Sequence, residues 1–430
     1  MSPQLYRSRG SLAGFALLAL VFAGLNTSAS VAPEAAAKPP QELTAAAAIF
    51  EKWSPGRLDI HQISTGRGNA TFAILPDGTT LLIDAGDAGE GVPEAPPVPD
   101  GSRRPGQWIA RYIHHFLGEG AEARIDLAVV THFHADHLGF AGKNSPLSKN
   151  GAYRLAGLTD VAEEIPLRRL IDRGWPDYSY PKPQQGEGWA NYRAFLAYGL
   201  DHGMKVEKAR PGAADQLVLS REPAQFPDFE IRVLAANGEL WTGESDHTLQ
   251  RFPALEELVP DDWPNENMCS IALRLRYGAF TYFTGGDLPG LPDDGYPAWQ
   301  NLEEPIASAI GKTDVVLVNH HGSISPASPI FLERTQPRVA ILPTWSPTHP
   351  APVVVKRLLN QRIYPGERDL FTTRLLACTR MVIGPRAEKL TSGHIVVRVE
   401  PGGATYRVFV LDDGSDAYTV RSVHGPYSAE

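Results

Sequence analysis

Four side chains able to bind a metal fall within six residues: His132, His134, Asp136 and His137, in the run Thr131-His132-Phe133-His134-Ala135-Asp136-His137-Leu138-Gly139. Imidazole and carboxylate at this density suit zinc or a similar borderline divalent cation. The run follows Arg124 to Thr131, a short, nearly continuous apolar stretch that reads as a strand covered on both faces. It therefore sits where a strand ends and the chain turns. Alternate spacing on an extended strand end points His132 and His134 to one side. Asp136 and His137 then turn toward a second position.

Three further stretches carry the same kind of chemistry at the ends of apolar runs. Asp84 closes Leu81-Leu82-Ile83-Asp84, Asp287 closes Phe283-Thr284-Gly285-Gly286-Asp287, and His320 and His321 close Asp314-Val315-Val316-Leu317-Val318-Asn319-His320-His321-Gly322-Ser323. The His-x-His-x-Asp-His pattern, matched by His132, His134, Asp136 and His137, resembles the hallmark of the metallo-β-lactamase superfamily. That resemblance implies that Asp84 orients the histidine ligands without binding metal, as such partners fix the imidazole tautomer. It implies that Asp287 bridges two metals and that the His-His pair supplies a final ligand. His321 is favoured as that ligand, with His320 beside it as proton donor or substrate contact, so Asp136 and His320 are the residues expected at the reacting centre.

The His-His-Gly-Ser form resembles a narrower group, the hydrolase domain of competence DNA-uptake channel proteins and secreted phosphorylcholine esterases. Gly66-Arg67-Gly68-Asn69, Asn267-x-x-Ser270-Ile271 and Thr348-His349-Pro350 are similar to that group's pattern, over about residues 56–400. His349 fits either a rim position that touches substrate or a structural role. One departure stands out: many superfamily members place another histidine between the His-rich run and the bridging aspartate. Here only His202 and His247 lie there, neither at a strand end. The first metal is then expected to be weakly held or completed by water, and His114 and His115, on a predicted helix, are expected to be scaffold.

What the resemblance implies is hydrolysis with two Zn2+ per chain, Mn2+ and Fe2+ being alternatives. Two such ions about 3.5–4 Å apart share a water, lower its pKa towards neutrality and polarise the electrophile. The hydroxide so formed is the nucleophile, and Ser323 is expected only as a hydrogen-bond partner. A phosphodiester or related ester is the first expectation for the substrate, β-lactam or lactone hydrolysis the second. A non-catalytic binding or scaffold module with a degraded site is the reading from another class, and di-iron redox chemistry lacks any evident flavin-binding region.

The elements that must position these residues are legible in outline. Leu58 to Ser64, Ala70 to Leu75 and Thr79 to Asp84 read as strands, the last two joined by Pro76-Asp77-Gly78, and a helix is expected from about Gln107 to Leu117 after a proline-rich loop, 92–106. The middle, about 145–214, reads as mostly helix and loop. Its aromatic segment Trp175 to Tyr192 either walls a substrate cleft or packs on the core. Phe229 to Ala235, Ser270 to Tyr277, Phe280 to Thr284, Asp314 to Asn319 and Arg338 to Leu342 are strand candidates, Pro352 to Gln361 a helix, and His394 to Glu400 with Ala404 to Leu411 a hairpin. Two similar halves predict an α/β fold, a four-layer αββα sandwich, as one domain over 45–415 with a C-terminal tail at 416–430.

Composition sets the outer bounds. The chain has 430 residues, 43% hydrophobic and 21% charged, which excludes disorder as the main state. Arg7 and Arg9 precede the apolar run Leu12 to Leu25 and the small residues Ser28, Ala29 and Ser30, which reads as an export signal over 1–30 followed by a flexible tether at 31–44. An uncleaved anchor is the alternative, although a span needs about 20 apolar residues. Export to the periplasm or the exterior is expected, with no transmembrane domain in the mature chain. Loss of the two arginines would take the net charge from −9 to −11. An acidic surface disfavours a stable nucleic-acid complex and leaves a small-molecule or phosphodiester substrate as the expected partner. Cys269 and Cys378 are too few for a disulfide framework and are expected as buried free thiols or as one bridge.

Overall fold

The computed structural model describes residues 49–89, 95–118, 123–292 and 296–430. The expected signal and tether, the first residues of the expected domain and part of the proline-rich loop lie outside the described residues. Leu58–Gln62 (β1), Thr71–Ile74 (β2) and Thr80–Ile83 (β3) form the expected antiparallel meander. Leu127–Val129 (β4) runs parallel to β3, and Arg169–Asp172 (β5) and Lys205–Lys208 (β6) extend the sheet in parallel. These last two strands interrupt a region, 145–214, that is otherwise helix and loop, as expected. β6, Lys-Val-Glu-Lys, is a short charged edge strand and carries little of the apolar pattern that reveals a strand in sequence.

The second half builds another sheet from Phe229–Ala236 (β7), Glu239–Trp241 (β8), Thr248–Gln250 (β9), Ala272–Tyr277 (β10), Phe280–Thr284 (β11), Val315–Leu317 (β12), Val339–Leu342 (β13), Asp369–Thr372 (β14) and Leu390–Ser392 (β15). Its order is β15-β14-β13-β12-β11-β10-β7-β8-β9. The chain then returns to the first sheet through His394–Val399 (β16), Thr405–Leu411 (β17) and Val420–Ser428 (β18), giving the order β18-β17-β16-β1-β2-β3-β4-β5-β6. The segment 416–430 is therefore not a tail: β18 pairs antiparallel with β17, from Leu411↔Val420 to Thr405↔Ser428. As an edge strand it tolerates Gly425-Pro426, the pair that hides its strand character in sequence.

Three apolar clusters define the layers. Along each inner strand successive side chains face opposite ways, so Ala73, Leu81, Ile83, Leu127 and Val129 meet Leu273, Leu275, Val315, Leu317 and Ile341 between the sheets. Phe72, Ile74, Leu82 and Ala128 point outward under Pro105–Leu117 (α1), Leu158–Glu164 (α3) and Glu187–Asp201 (α4), while Ala135–Leu138 (α2) is a single turn after β4. On the far side, Phe283, Val316 and Ala340 pack beneath Glu303–Ile310 (α5), Pro329–Thr335 (α6), Pro352–Leu358 (α7) and Ala377–Ile383 (α8). The expected αββα sandwich is the architecture observed. Among the described residues no helix is long and apolar enough to cross a membrane.

Candidate metal centre

Every residue singled out for metal chemistry follows a strand that runs parallel to a neighbour. Asp84 follows β3, the His132–His137 run follows β4, Asp287 follows β11 and His320-His321 follow β12. Ligands in open parallel sheets gather at these C-terminal strand ends, and here two sheets bring theirs to one place. The approach is close: a Cβ on Gly86 would stand 1.7 Å from the Asp136 carbonyl oxygen, so no larger residue fits beside α2. Gly286, at φ +55°, lets the chain before Asp287 lie against Thr131.

Asp84 organises the His-rich run. Its Oδ1 accepts from Thr131 N at 2.8 Å, and its Oδ2 accepts from Thr131 Oγ1 at 2.8 Å, Asn69 Nδ2 at 3.1 Å and His137 Nδ1 at 2.7 Å. A carboxylate can only accept from an imidazole, so His137 carries its proton on Nδ1 and turns the lone pair of Nε2 toward the cluster. Thr131 spends its only hydroxyl proton on Asp84, which leaves its oxygen to accept from His132 Nδ1 at 3.2 Å. On the other sheet His321 Nδ1 donates to the carbonyl oxygen of Pro343 at 2.9 Å. The Nε2 atoms of His132, His137 and His321 all face inward.

Two donor sets result, sharing Asp287. Asp136, His137, Asp287 and His321 each offer one ligand atom, all within 4.8 Å of one another, as do His132, His134 and Asp287. In the first set His137 Nε2 lies 3.2 Å from His321 Nε2 and 3.0 Å from Asp287 Oδ1, and His321 Nε2 lies 3.0 Å from Asp136 Oδ2. In the second, His132 Nε2 lies 3.2 Å from His134 Nδ1 and 3.7 Å from Asp287 Oδ2. Asp287 Oδ1 is buried and makes no directional hydrogen bond among the described residues.

The titration of these groups expresses the same crowding. Burial opposes charge on His321, but Asp287 and Asp136 outweigh it and raise the imidazole to about 9. His137 is likewise raised, against burial, by Asp287, Asp84 and Asp136. Asp136 and Asp287 are buried, which alone would raise them, yet the neighbouring imidazoles hold both below the ordinary carboxylate range. Burial, with the neighbouring His137, pulls His132 well down. Protons or cations must supply positive charge here, and the inward lone pairs make cations the better fit.

The remaining predicted residues fall into place around this core. His320 and His321 both lie in left-handed backbone, φ +46° and +53°, and their Nε2 atoms approach the two oxygens of Asp287 at 3.7 and 3.5 Å. Such backbone in a non-glycine residue costs about 1–2 kcal/mol each and persists where the surroundings hold it. His320 Nε2 lies 3.7 Å from Asp287 Oδ2 and 3.3 Å from Asn267 Nδ2, and its side chain is 33% exposed. His349 is buried and stacks on His321, ring centroids 4.9 Å apart, with Trp345 against both. Ser323 departs from expectation, since its hydroxyl has no hydrogen-bond partner among the described residues. His202 is exposed and stacks on Tyr198 at the end of α4, and His247 is exposed, so neither joins the cluster. Cys269 is a buried free thiol as expected, Cys378 a free but exposed one, and no bridge joins them.

The aromatic segment packs on the core, one of its two expected readings, while Asp172, Arg173, Glu266 and Glu303 were not singled out in sequence. Tyr178, Trp189 and Tyr192 of the aromatic segment pack on Phe133, the residue between His132 and His134, and both tyrosine hydroxyls donate to Asp172 at the end of β5. Leu170-Ile171-Asp172 repeats the apolar-strand-then-acid signature of Asp84, and so was available to sequence reasoning. Glu266, Arg173 and Glu303 carried no such signal. Glu303, buried at the start of α5, accepts from Asn319 Nδ2, Ala327 N and Ser328 N and so ties the His-His turn to α6.

No family model and no curated protein matches the chain. Among solved structures, Zn2+-bound PqqB from Methylobacterium extorquens is similar at 10% sequence identity, over 80% of this chain and 99% of that one, with a TM-score of 0.39. The short form of human tRNase Z is similar at 12% identity, over 73% and 91% of the respective chains, with a TM-score of 0.28. A Parabacteroides distasonis protein provisionally named a metal-dependent hydrolase is similar at 12% identity, over 73% and 93%, with a TM-score of 0.33. Likenesses this distant carry no inference about chemistry.

Proposed function

We propose that this chain is an exported metal-dependent hydrolase of the metallo-β-lactamase type that cleaves a phosphodiester or related ester bond. One observation carries the hydrolase reading. The Nε2 atoms of His137 and His321 face each other across 3.2 Å while the carboxylates of Asp136 and Asp287 close on the same space. Such an array needs positive charge, which protons supply in the metal-free protein and a divalent cation would supply in their place. Asp136, His137, Asp287 and His321 would hold one ion and His132, His134 and Asp287 the other. A bound pair of this kind supplies Lewis acidity toward the scissile bond and a water acidified towards neutrality.

The chain's own residues supply the rest. Asp84, Thr131 and Pro343 engage Nδ1 of His137, His132 and His321 and so turn the three Nε2 atoms inward, where they would meet a cation. His320, partly exposed and near Asp287, is placed to give a proton to the leaving oxygen. Covalent catalysis finds no support: the Cys269 thiol is buried and pushed up to about 12, and the Ser323 hydroxyl has no base beside it. Export is supported by the leader-like pattern from Arg7 to Ser30.

The test is metal content by elemental analysis of protein purified without chelators, together with turnover of chromogenic phosphodiester, phosphomonoester, lactone and cephalosporin substrates. Near two zinc per chain with phosphodiester turnover is expected. Preference for the lactone or cephalosporin would replace the substrate class, and folded protein with neither metal nor turnover would replace the enzyme by a scaffold. N-terminal sequencing of secreted material checks export, with cleavage near Ser30 as the expected result.

A further inference from the structure

Between His137 and Asp287, where the superfamily resemblance directs attention to another imidazole, an arginine and a glutamate reach the His132–His134 segment. Arg173 follows β5 and is buried, 1% exposed. Its Nε and Nη2 donate to the two oxygens of Glu266 at 2.7 and 2.5 Å, and its Nη1 donates to Tyr180 O at 3.0 Å and Asn237 Oδ1 at 3.1 Å. Glu266 in turn accepts from the backbone N–H of Phe133 at 2.7 Å, and from Gln184 Nε2 at 2.9 Å. The guanidinium also lies over the Phe133 ring, 4.6 Å from its centroid.

Phe133 is the single residue between the imidazoles of His132 and His134. Its N–H is held by Glu266, and its ring by Arg173 on one hand and by Tyr178, Trp189 and Tyr192 on the other. The pair thus fixes both the backbone and the side chain of the link between two ligands, and nothing in it touches the donor atoms themselves. A buried ion pair is a poor device for stability, because desolvation of both charges offsets their attraction. It is a good one for fixing geometry, since the bidentate fork admits one orientation.

We propose that the Arg173–Glu266 pair is a positioning device for the cation held by His132, His134 and Asp287, standing in for a further protein ligand, and that this cation is the looser of the two. The proposal rests on the two-metal reading above. With three protein donors against four, and with its ligand segment held indirectly, this ion depends on the pair, whereas the ion of Asp136, His137, Asp287 and His321 does not.

The experiment compares zinc stoichiometry and affinity in wild type, Arg173→Met and Glu266→Gln, with cobalt substitution and its visible absorption as the spectroscopic readout. The expected result is two ions of unequal affinity in wild type. In each folded variant the weaker is lost or its dissociation constant rises tenfold or more, while the tighter ion is unchanged. Glu266→Gln preserves volume and an oxygen for the Phe133 N–H, so it decides the matter if Arg173→Met does not fold. A lowered melting temperature with both affinities unchanged would overturn the proposal and leave the two-metal reading intact. Wild-type protein that binds no metal would overturn both.

Discussion

The carboxylate of Asp84 accepts a 2.7 Å hydrogen bond from Nδ1 of His137, and by doing so decides which nitrogen of that imidazole faces the metal centre. Asp84 itself lies in left-handed backbone, φ +60°, held there by its bonds to Thr131 and by Asp84 N donating to Val129 O. Replacing it by asparagine keeps the shape but allows an amide N–H to face Nδ1, which would move the proton to Nε2. Asp84→Asn is expected to weaken metal binding by about 10–100-fold, measured by competition with a chromogenic chelator. Unchanged affinity would show that His137 does not depend on this bond.

Asp287 belongs to both donor sets, so its removal cannot be absorbed by either. Asp287→Ala should abolish hydrolysis and strip the chain of metal, while circular dichroism stays that of the folded protein. A fully active Asp287→Ala protein would refute the site as drawn.

His320 is close to Asp287 and partly exposed. If it gives the proton to the leaving group, His320→Ala should lower kcat by about 10²–10⁴-fold with both zinc ions retained. The loss should shrink on substrates whose leaving group needs no proton. Loss of metal instead would make His320 a ligand.

Metal and protons compete for His321. Because the imidazole is raised to about 9 by Asp287 and Asp136 in spite of burial, it is protonated in the metal-free protein at neutral pH and must lose that proton on binding. Zinc binding should therefore release protons, and affinity should fall about tenfold per pH unit per displaced proton as pH drops below that value. Calorimetry in buffers of different ionisation enthalpy reads the proton count; an affinity flat between about pH 6 and about pH 9 would contradict it.

Glu303 makes a separate claim on pH. Burial raises its carboxyl to about 7 from an ordinary 4.5, although Ala327, Ser328 and Asn319 donate to it. A raised folded-state pKa means the fold favours the protonated form, so this stabilisation is complete below about pH 4.5 and lost as pH rises through about 7, amounting to about 3 kcal/mol. Denaturation of wild type and Glu303→Gln from about pH 5 to about pH 8 should show that difference in slope; parallel curves would refute it.

What the sequence determined by itself is the local part. Apolar runs of four to eight residues ending in Asp84, His132, Asp287 and His320-His321 announce both the inner strands and the fact that chemistry sits at their ends, because a buried parallel strand must be apolar and a ligand must stop it. What it could not determine is anything that depends on a partner distant in the chain. β6 and β18 are edge strands, paired on one side only, and give few residues to the core, Val206 from the first and Val420 and Tyr427 from the second. The left-handed backbone at both His320 and His321 is held by the surrounding loops, and no composition encodes it. Arg173 and Glu266 lie 93 residues apart, and their meeting under Phe133 is a product of packing two sheets together. Spacing in sequence names the donor atoms; only the sandwich brings them within reach of one ion.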